Sequence, residues 1–365
     1  MPMMDELFAE AQRQLNICNS CRYCEGYCAV FPALERRSVL DTGDLTHLAN
    51  LCHDCRACLA ACMYAAPHEF ALNPPEVLSD VRLATYQGYR YPRLGPAWLR
   101  HPKPAWLRGW SALATAAALV VTALLVLIAL TEGISAVFSH GGPYRLIPYP
   151  GLLVTVLLPS AWSAAVMLRA LARYWHDTHG PLRDLADWSA LSKALLYAAR
   201  LRYLRGGGAD CYYSGENPSP VRRRLHAAVF YGFTACFAAT LAAGFMQDIL
   251  GDAPPYPLLS APVILGTAGG LGMIIGCAGL AVLKARSDPA PRIGDFSLLV
   301  GLGALAITGM LTLLLRATPA YGLVLVAHLA TIVVCLGVAP YTTFVHGGYR
   351  FLAIVADNLE LARTG

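Results

Sequence analysis

Cys18-Asn-Ser-Cys21-Arg-Tyr-Cys24-Glu-Gly-Tyr-Cys28 and Cys52-His-Asp-Cys55-Arg-Ala-Cys58-Leu-Ala-Ala-Cys62 share one spacing, C-x2-C-x2-C-x3-C. Three thiolates on one short loop can grip three corners of an iron–sulfur cube, while the fourth cysteine of each run points away and ligates the other cube. The expected sets are therefore Cys18, Cys21, Cys24 and Cys62 for a first [4Fe–4S] cluster, and Cys52, Cys55, Cys58 and Cys28 for a second. A zinc ribbon uses two C-x2-C pairs, not two runs of four. Disulfides would suit a secreted scaffold, and no cleavable signal peptide precedes these cysteines. The other four cysteines, Cys211, Cys236, Cys277 and Cys335, are scattered and expected to be free.

The proline that usually follows the fourth cysteine is replaced by Ala29 and Met63, although Pro32 and Pro67 bend the chain soon after. Between the two runs, Leu34 to Leu51 reads as helical, with an Asp41-Thr42-Gly43-Asp44 entry ahead of Leu45, Leu48 and Leu51. This suggests the α-helical kind of two-cluster ferredoxin rather than a β-rich one.

Working outward, the composition points to a membrane. Of 365 residues, 56% are hydrophobic and 14% charged, against about 25% charged in a soluble protein. The net charge of +5 is spread over loops, so nucleic acid is not implied. Residues 80–109 form a basic, Pro- and aromatic-rich connector holding Arg82, Arg90, Arg93, Arg100, Lys103 and Arg108 with Trp98, Trp106 and Trp110, the composition of a segment at headgroup level.

Six apolar stretches follow, at roughly 110–131, 151–172, 225–246, 260–283, 296–316 and 321–345, each near the ~20 residues that span a bilayer. The loops at 132–150 and 247–259 hold a single basic residue, Arg145. The loop at 173–224 holds Arg173, Arg183, Lys193, Arg200, Arg202, Arg205 and Arg222 to Arg224, and the loop at 284–295 adds Lys284, Arg286 and Arg292. Basic loops stay in the cytoplasm, so six spans put both termini and the clusters there. The 173–224 loop is long enough for a helix of its own, Leu185 to Leu204, expected to pack on the cluster domain or a partner. The glycines of the fourth span (Gly266, Gly269, Gly270, Gly272, Gly276, Gly279) follow no strand, so they read as close helix packing and not as a nucleotide loop.

Three histidines belong to spans, where ionisable groups are costly. His328 and His346 are 18 residues apart, five helical turns, so on one continuous helix they share a face roughly 27 Å apart. His226 and His346 both lie at the cytoplasmic end. Two readings stand for them: a sandwich around a b-type haem, with Arg222 to Arg224 and Arg350 neutralising its propionates, or an interfacial position solvated by headgroups. His328 has Cys236 where a histidine partner would be, which leaves a quinone site or a polar group bonded across helices. His176 and His179 read as surface residues.

The doubled cysteine motif, RRRLHAAVFYGFTACFAAT at 222–240, LGTAGGLG at 265–272, LRATPAYG at 315–322 and PYTTFVHGGYR at 340–350 resemble the tricarballylate/citrate-utilisation iron–sulfur membrane protein family (TcuB/CitB) over nearly the whole chain. The resemblance implies an electron carrier that reoxidises a cytosolic FAD-dependent dehydrogenase, which converts tricarballylate to cis-aconitate, and passes electrons to the membrane chain. The His328 and His346 spacing is also similar to the haem-bearing subunit of membrane nitrate reductases, where the cytoplasmic haem position would match His226 with His346.

The expectation is an all-α protein of the bacterial inner membrane. It comprises an α-helical two-cluster ferredoxin-like domain at 1–80, an interfacial connector at 81–109, a six-helix transmembrane bundle at 110–350 with a cytoplasmic helical loop at 173–224, and a cytoplasmic tail at 351–365. Its cofactors are two [4Fe–4S] clusters, joined by one haem b in the first of the two histidine readings, its acceptor is quinone, and it is an oxidoreductase component rather than the dehydrogenase. Two alternatives remain open: the electron-transfer subunit of another quinone-linked reductase, and a small-molecule transporter with a cluster-bearing sensor, against which the lack of repeated halves counts.

Overall fold

The computed structural model describes residues 2–91, 105–138, 142–208, 210–212, 217–286 and 296–364. Among them there is no strand, only an isolated bridge between Cys211 and Ser219. The N-terminal part consists of α1 (Pro2–Cys21), α2 (Val30–Glu35), α3 (Thr42–Leu51), the single turn α4 (Ala57–Ala60) and α5 (Pro74–Tyr89). The Asp41 entry starts α3 as a capping box: the Asp41 carboxylate accepts from the Asp44 amide at 2.7 Å and Asp44 accepts from the Asp41 amide at 3.3 Å. These bonds satisfy donors that the first helical turn leaves open.

Long apolar helices follow. They are α6 (Ala105–Thr131), α7 (Tyr149–His179), α9 (Val221–Asp248), α10 (Ala261–Ala285), α11 (Ser297–Leu314) and α12 (Tyr321–Val338). Among the described residues, five helices are long and apolar enough to cross a bilayer: α7, α9, α10, α11 and α12 continued to Tyr341. For α6 the described apolar part is the shorter Ala117–Thr131. Leu158, Leu241, Phe245, Ile275 and Leu314 stand exposed on these helices, as lipid-facing side chains do. Gly269, Gly272, Gly276 and Gly279 of α10 lie against α9, and Gly270 lies against Met310 of α11. A Cβ on Gly269 would stand 2.6 Å from the Gly232 carbonyl oxygen and 2.8 Å from the Cys236 sulfur, and one on Gly276 would stand 2.8 Å from the Leu225 carbonyl oxygen. Close approach of this kind suits helices in lipid, where packing rather than hydrophobicity drives association.

Several expectations change. The expected helix at Leu185 to Leu204 is shorter: α8 (Trp188–Ala199) is capped by Asp187, and a 3-10 segment, Arg202–Gly208, follows it. The last span does not run on to His346. It ends at Val338, gives way to 3-10 turns at Ala339–Tyr341 and Thr343–Val345, and restarts as α13 (His346–Thr364). Pro340 has no N–H to continue the helix, and the extended Thr342 accepts a bond from the Phe344 amide. His328 and His346 are therefore on different helices. Residues 351–365, expected as a tail, form most of α13 through Thr364. Its Tyr349, Ala353, Val355 and Ala356 are buried in one core with α3, α5, α7 and α8. Arg93, Trp98, Arg100, Lys103 and Arg292 lie outside the described residues. Arg82 does not sit at headgroup level: it is 8% exposed inside the cluster domain.

α13 is tied down by charge as well as burial. Arg36 pairs with Asp357 and with Glu360, the latter at 3.1 Å, and Arg37 pairs with Glu360 and Asp44, both at 2.6 Å. The C-terminal end of α7 reaches the same domain. His179 on its last turn lies 2.9 Å from the ring nitrogen of buried His47, a correction to its expected surface position, whereas His176 stays exposed.

Gly269→Val should overpack the α9–α10 contact at about 1–3 kcal/mol. The melting temperature of the full chain in detergent is then expected to fall by ~5 °C. Gly244→Ala, whose Cβ would meet nothing within 4 Å, should leave it within ~1 °C. Equal melting of the two variants would count against glycine-dependent packing.

Candidate iron–sulfur and haem sites

The two cysteine loops fold alike. The residue after the second cysteine of each run, Arg22 and Arg56, takes a left-handed backbone, with φ 55° and 61°, and Asp54 does so as well at 50°. A side chain in this region costs roughly 1–2 kcal/mol. At equivalent positions of two equivalent loops, that conformation is what turns the chain so that the flanking sulfurs face inward.

The structure brings the eight sulfurs into two sets. Cys18 lies close enough to Cys62, Cys24 and Cys21 for their charges to act on it, and Cys24 is similarly placed with Cys62 and Cys21. Cys28 lies among Cys52 and Cys55, and Cys58 among Cys52, Cys28 and Cys55. Cys58 also faces Cys24, so the sets are neighbours. Burial first, and neighbouring thiolates second, push the Cys18 thiol up to about 12 and the Cys24 thiol up to about 11. Burial likewise drives Cys28 and Cys58 upward. Four thiols packed this way resist ionisation on their own, and a cationic metal core removes that penalty because coordination deprotonates a thiol outright. The donor set therefore fits a cluster in each position.

The sets differ in surroundings. Cys21 is exposed and lines an open cleft with Cys18, Cys24, Cys62, Tyr23 and Met63, which Cys58 of the second set also reaches. Cys52 and Cys55 are buried. Amides point at the second set: Asp54 N–H donates to the Cys52 sulfur at 3.4 Å, Val30 and Phe31 donate to Cys28, and Ala57 donates to Cys55. Three arginines reach the same loop. Arg82 on α5 donates to the Cys52 carbonyl at 2.7 Å, Arg350 on α13 donates to it at 3.0 Å, and Arg222 on α9 donates to the carbonyls of Asp54 at 2.5 Å and His53 at 3.2 Å. Arg222 and Arg350, expected beside haem propionates, both bond the cysteine loop. Cys211, expected to be merely scattered, packs on Cys55, and the next amide, Tyr212 N–H, donates to the Cys55 carbonyl at 2.9 Å. The 173–224 connection thus covers the second set.

His226 and His346 meet. Their ring centroids are 6.4 Å apart and their planes nearly perpendicular, at 85°. Two imidazoles on one iron, with metal–nitrogen bonds of ~2 Å, have centroids roughly 6 Å apart. His346 Nδ1–H donates to the Thr343 carbonyl at 2.6 Å, which leaves Nε2 as the free donor atom, and burial keeps this ring neutral by lowering its pKa to about 4. His226 Nδ1 is buried without a partner. Spacing, protonation and the second bond on His346 fit a bis-imidazole iron. His226 lies four residues after Arg222, and His346 four residues before Arg350, so each histidine is one turn, about 6 Å along its helix, from an arginine touching the second cysteine loop. His328 bonds across helices to Thr308 Oγ1 on α11 at 2.9 Å. Sequence reading missed the arginines because basic residues near a span signal topology whichever way they point.

A family model described as citrate utilization protein B matches residues 107–365, and one described as the citrate utilization protein B Fer4-like domain matches residues 11–88. Citrate utilization protein B of Escherichia coli is 36% identical to this chain over 379 aligned positions, covering 99% of this chain and 94% of that protein. No solved structure matches.

Because Cys28 sits with Cys52, Cys55 and Cys58, Cys28→Ser should perturb the same EPR signal as Cys55→Ser, and Cys62→Ser the same signal as Cys21→Ser. Pairing by sequence run instead, Cys28 with Cys21, would refute the exchange of fourth ligands.

Proposed function

The chain belongs to the citrate utilization protein B family, and from that premise we propose that it carries electrons from a cytosolic flavoprotein through two [4Fe–4S] clusters to quinone in the membrane. The observation that carries this reading is the gathering of eight cysteines into two neighbouring sets, one with the solvent-exposed Cys21 and one on a loop bonded by Arg222 and Arg350, each one helical turn from His226 or His346.

Bound at these cysteines, the clusters supply one-electron exchange, which converts the two-electron output of a flavin into single steps. The exposed cleft at Cys18, Cys21, Cys24 and Cys62 presents the first set to a docking protein, with Tyr23 and Met63 standing 59% and 62% exposed at its rim. In the second set Cys52 and Cys55 are buried, and its loop is bonded by Arg222 of the long apolar helix α9. His226 and His346 would hold a b haem between α9 and α13, and Thr343 fixes the His346 tautomer so that Nε2 faces the partner ring. The partner in this reading is an FAD-dependent dehydrogenase of tricarballylate, on the likeness of the motifs at 222–240 and 340–350 to that family. Six spans, counting α6, with both termini and the clusters in the cytoplasm, follow from the basic loops. The 173–224 connection fits this arrangement, since α8 packs on α13 through the Asn358 bond to the Ala190 carbonyl.

Iron and acid-labile sulfide in the purified full chain should each approach about eight per polypeptide, two cubes of four. A value near four, or stoichiometric zinc, would overturn the two-cluster reading.

His226→Ala and His346→Ala should each abolish a reduced-minus-oxidised b-haem spectrum while iron in the clusters is retained. His328→Ala, which removes the Thr308 bond on a different pair of helices, should spare it. A haem spectrum that survives both of the first two variants would remove the haem from this pair.

A further inference from the structure

The two cysteine sets sit in unlike electrostatic surroundings, and no part of the family assignment explains why. Arg82, Arg222 and Arg350 come from three helices separated by more than a hundred residues of chain, and all bond the backbone of residues 49–54. Arg82 is buried, and the Nε of Arg350 is shielded from water without a partner. Among the described residues, neither forms an ion pair with a carboxylate. Asp54 on the same loop is already 3.6 Å from Arg56. Buried cations without carboxylates call for another anion, and four thiolates on an iron–sulfur core carry net negative charge. Amide dipoles add to the asymmetry, since Val30, Phe31, Asp54 and Ala57 all donate to sulfurs of the second set. Near the first set, Arg22 is exposed, where solvent screens its charge.

We propose that Arg82, Arg222 and Arg350 set the direction of electron flow by making an added electron more stable at Cys28, Cys52, Cys55 and Cys58 than at Cys18, Cys21, Cys24 and Cys62. This rests on the two-cluster reading above. The step moves one electron and neither makes nor breaks a bond: the first site is oxidised by one electron and the second reduced by one, the electron having come from a reduced flavin on the docked partner. Net charge, hydrogen bonds to sulfur and burial are the levers on such potentials. Burial alone works the other way, because a drier site resists a further negative charge. The three guanidiniums and the amides act at the same dry site, where fixed charges are least screened, and they outweigh it. The gradient runs inward, from the exposed cleft to the loop one helical turn from His226 and His346.

The test is an EPR-monitored redox titration of the purified full chain, with signals assigned through Cys21→Ser and Cys55→Ser. In the wild type the signal of the Cys55 set should have the higher midpoint. Arg82→Gln, Arg350→Gln and Arg222→Gln should each shift the electron-sharing equilibrium between the sets about tenfold, or 59 mV for one electron, by lowering that midpoint alone. Arg222→Lys, at the partly exposed position, keeps the charge and should retain most of it. If the buried variants lose iron, the wild-type order and the Arg222 pair decide the matter. Equal or reversed wild-type midpoints, a shift of both signals together, or a Lys variant that shifts as far as Gln overturns the proposal. A wild-type protein with only about four irons overturns the two-cluster reading instead.

Discussion

Three guanidinium groups bonded to the carbonyls of one cysteine loop hold this molecule's parts in register. Arg82 belongs to the ferredoxin-like domain, Arg222 begins a membrane helix, and Arg350 lies on the last helix, yet their bonds end within residues 49–54. Hydrogen bonds from a charged donor contribute about 1.5–3 kcal/mol each, and leaving such a donor buried and unpaired costs more. Displacing the cluster domain from α9 and α13 would orphan Arg222 and Arg350 together, while Arg82 braces the same loop from within its own domain. The same geometry brings α9 and α13 to the second cysteine set, and so brings His226 and His346 to each other.

A second set of charges works with the first. Arg36 and Arg37, just past α2, meet Asp357 and Glu360 on α13, and Arg37 also meets Asp44 in the first turn of α3. Burial raises the Asp357 pKa although Arg36 acts against it. Desolvation therefore consumes much of what this pair gains, and its clearer contribution is registry between helices. Stability comes from the apolar face of α13: Leu352, Ala353, Val355, Ala356 and Leu359 join Leu45, Leu48 and Leu51 of α3 in one core. At ~25 cal/mol per Å² of apolar surface removed from water, a face of that size outweighs the net of the ion pairs.

The helices outside this core are organised by different physics. With lipid as the solvent there is little hydrophobic drive between them, so α9 and α10 come together where Gly232, Gly269 and Gly276 let backbones touch. Their polar groups are satisfied internally, as with His328 on Thr308 and the threonine hydroxyls that return to carbonyls one turn back. Arg222, Arg350, His226 and His346 collect where α9 and α13 meet the cluster domain.

The sequence by itself determined the features that depend on local spacing. Three cysteines within seven residues can face one centre, so which sulfurs gather was legible, including the exchange of Cys28 and Cys62. Apolar runs of span length follow from composition, and the Asp41 entry to α3 follows from capping chemistry. His226 and His346 were paired by membrane level, and they do meet, although on α9 and α13 and not on an unbroken last span. The tertiary structure alone decided the rest. A residue such as Arg82 or Arg350 has the same sequence signature whether it faces headgroups or a buried carbonyl, because topology signals count charge and not direction. The reach of α7 to His179, and the burial of the expected tail, also depended on partners distant in the chain. Local chemistry says which groups can bind a cluster; only the packing of remote helices fixes the field around it, because electrostatic effects depend on distance through space and not along the chain.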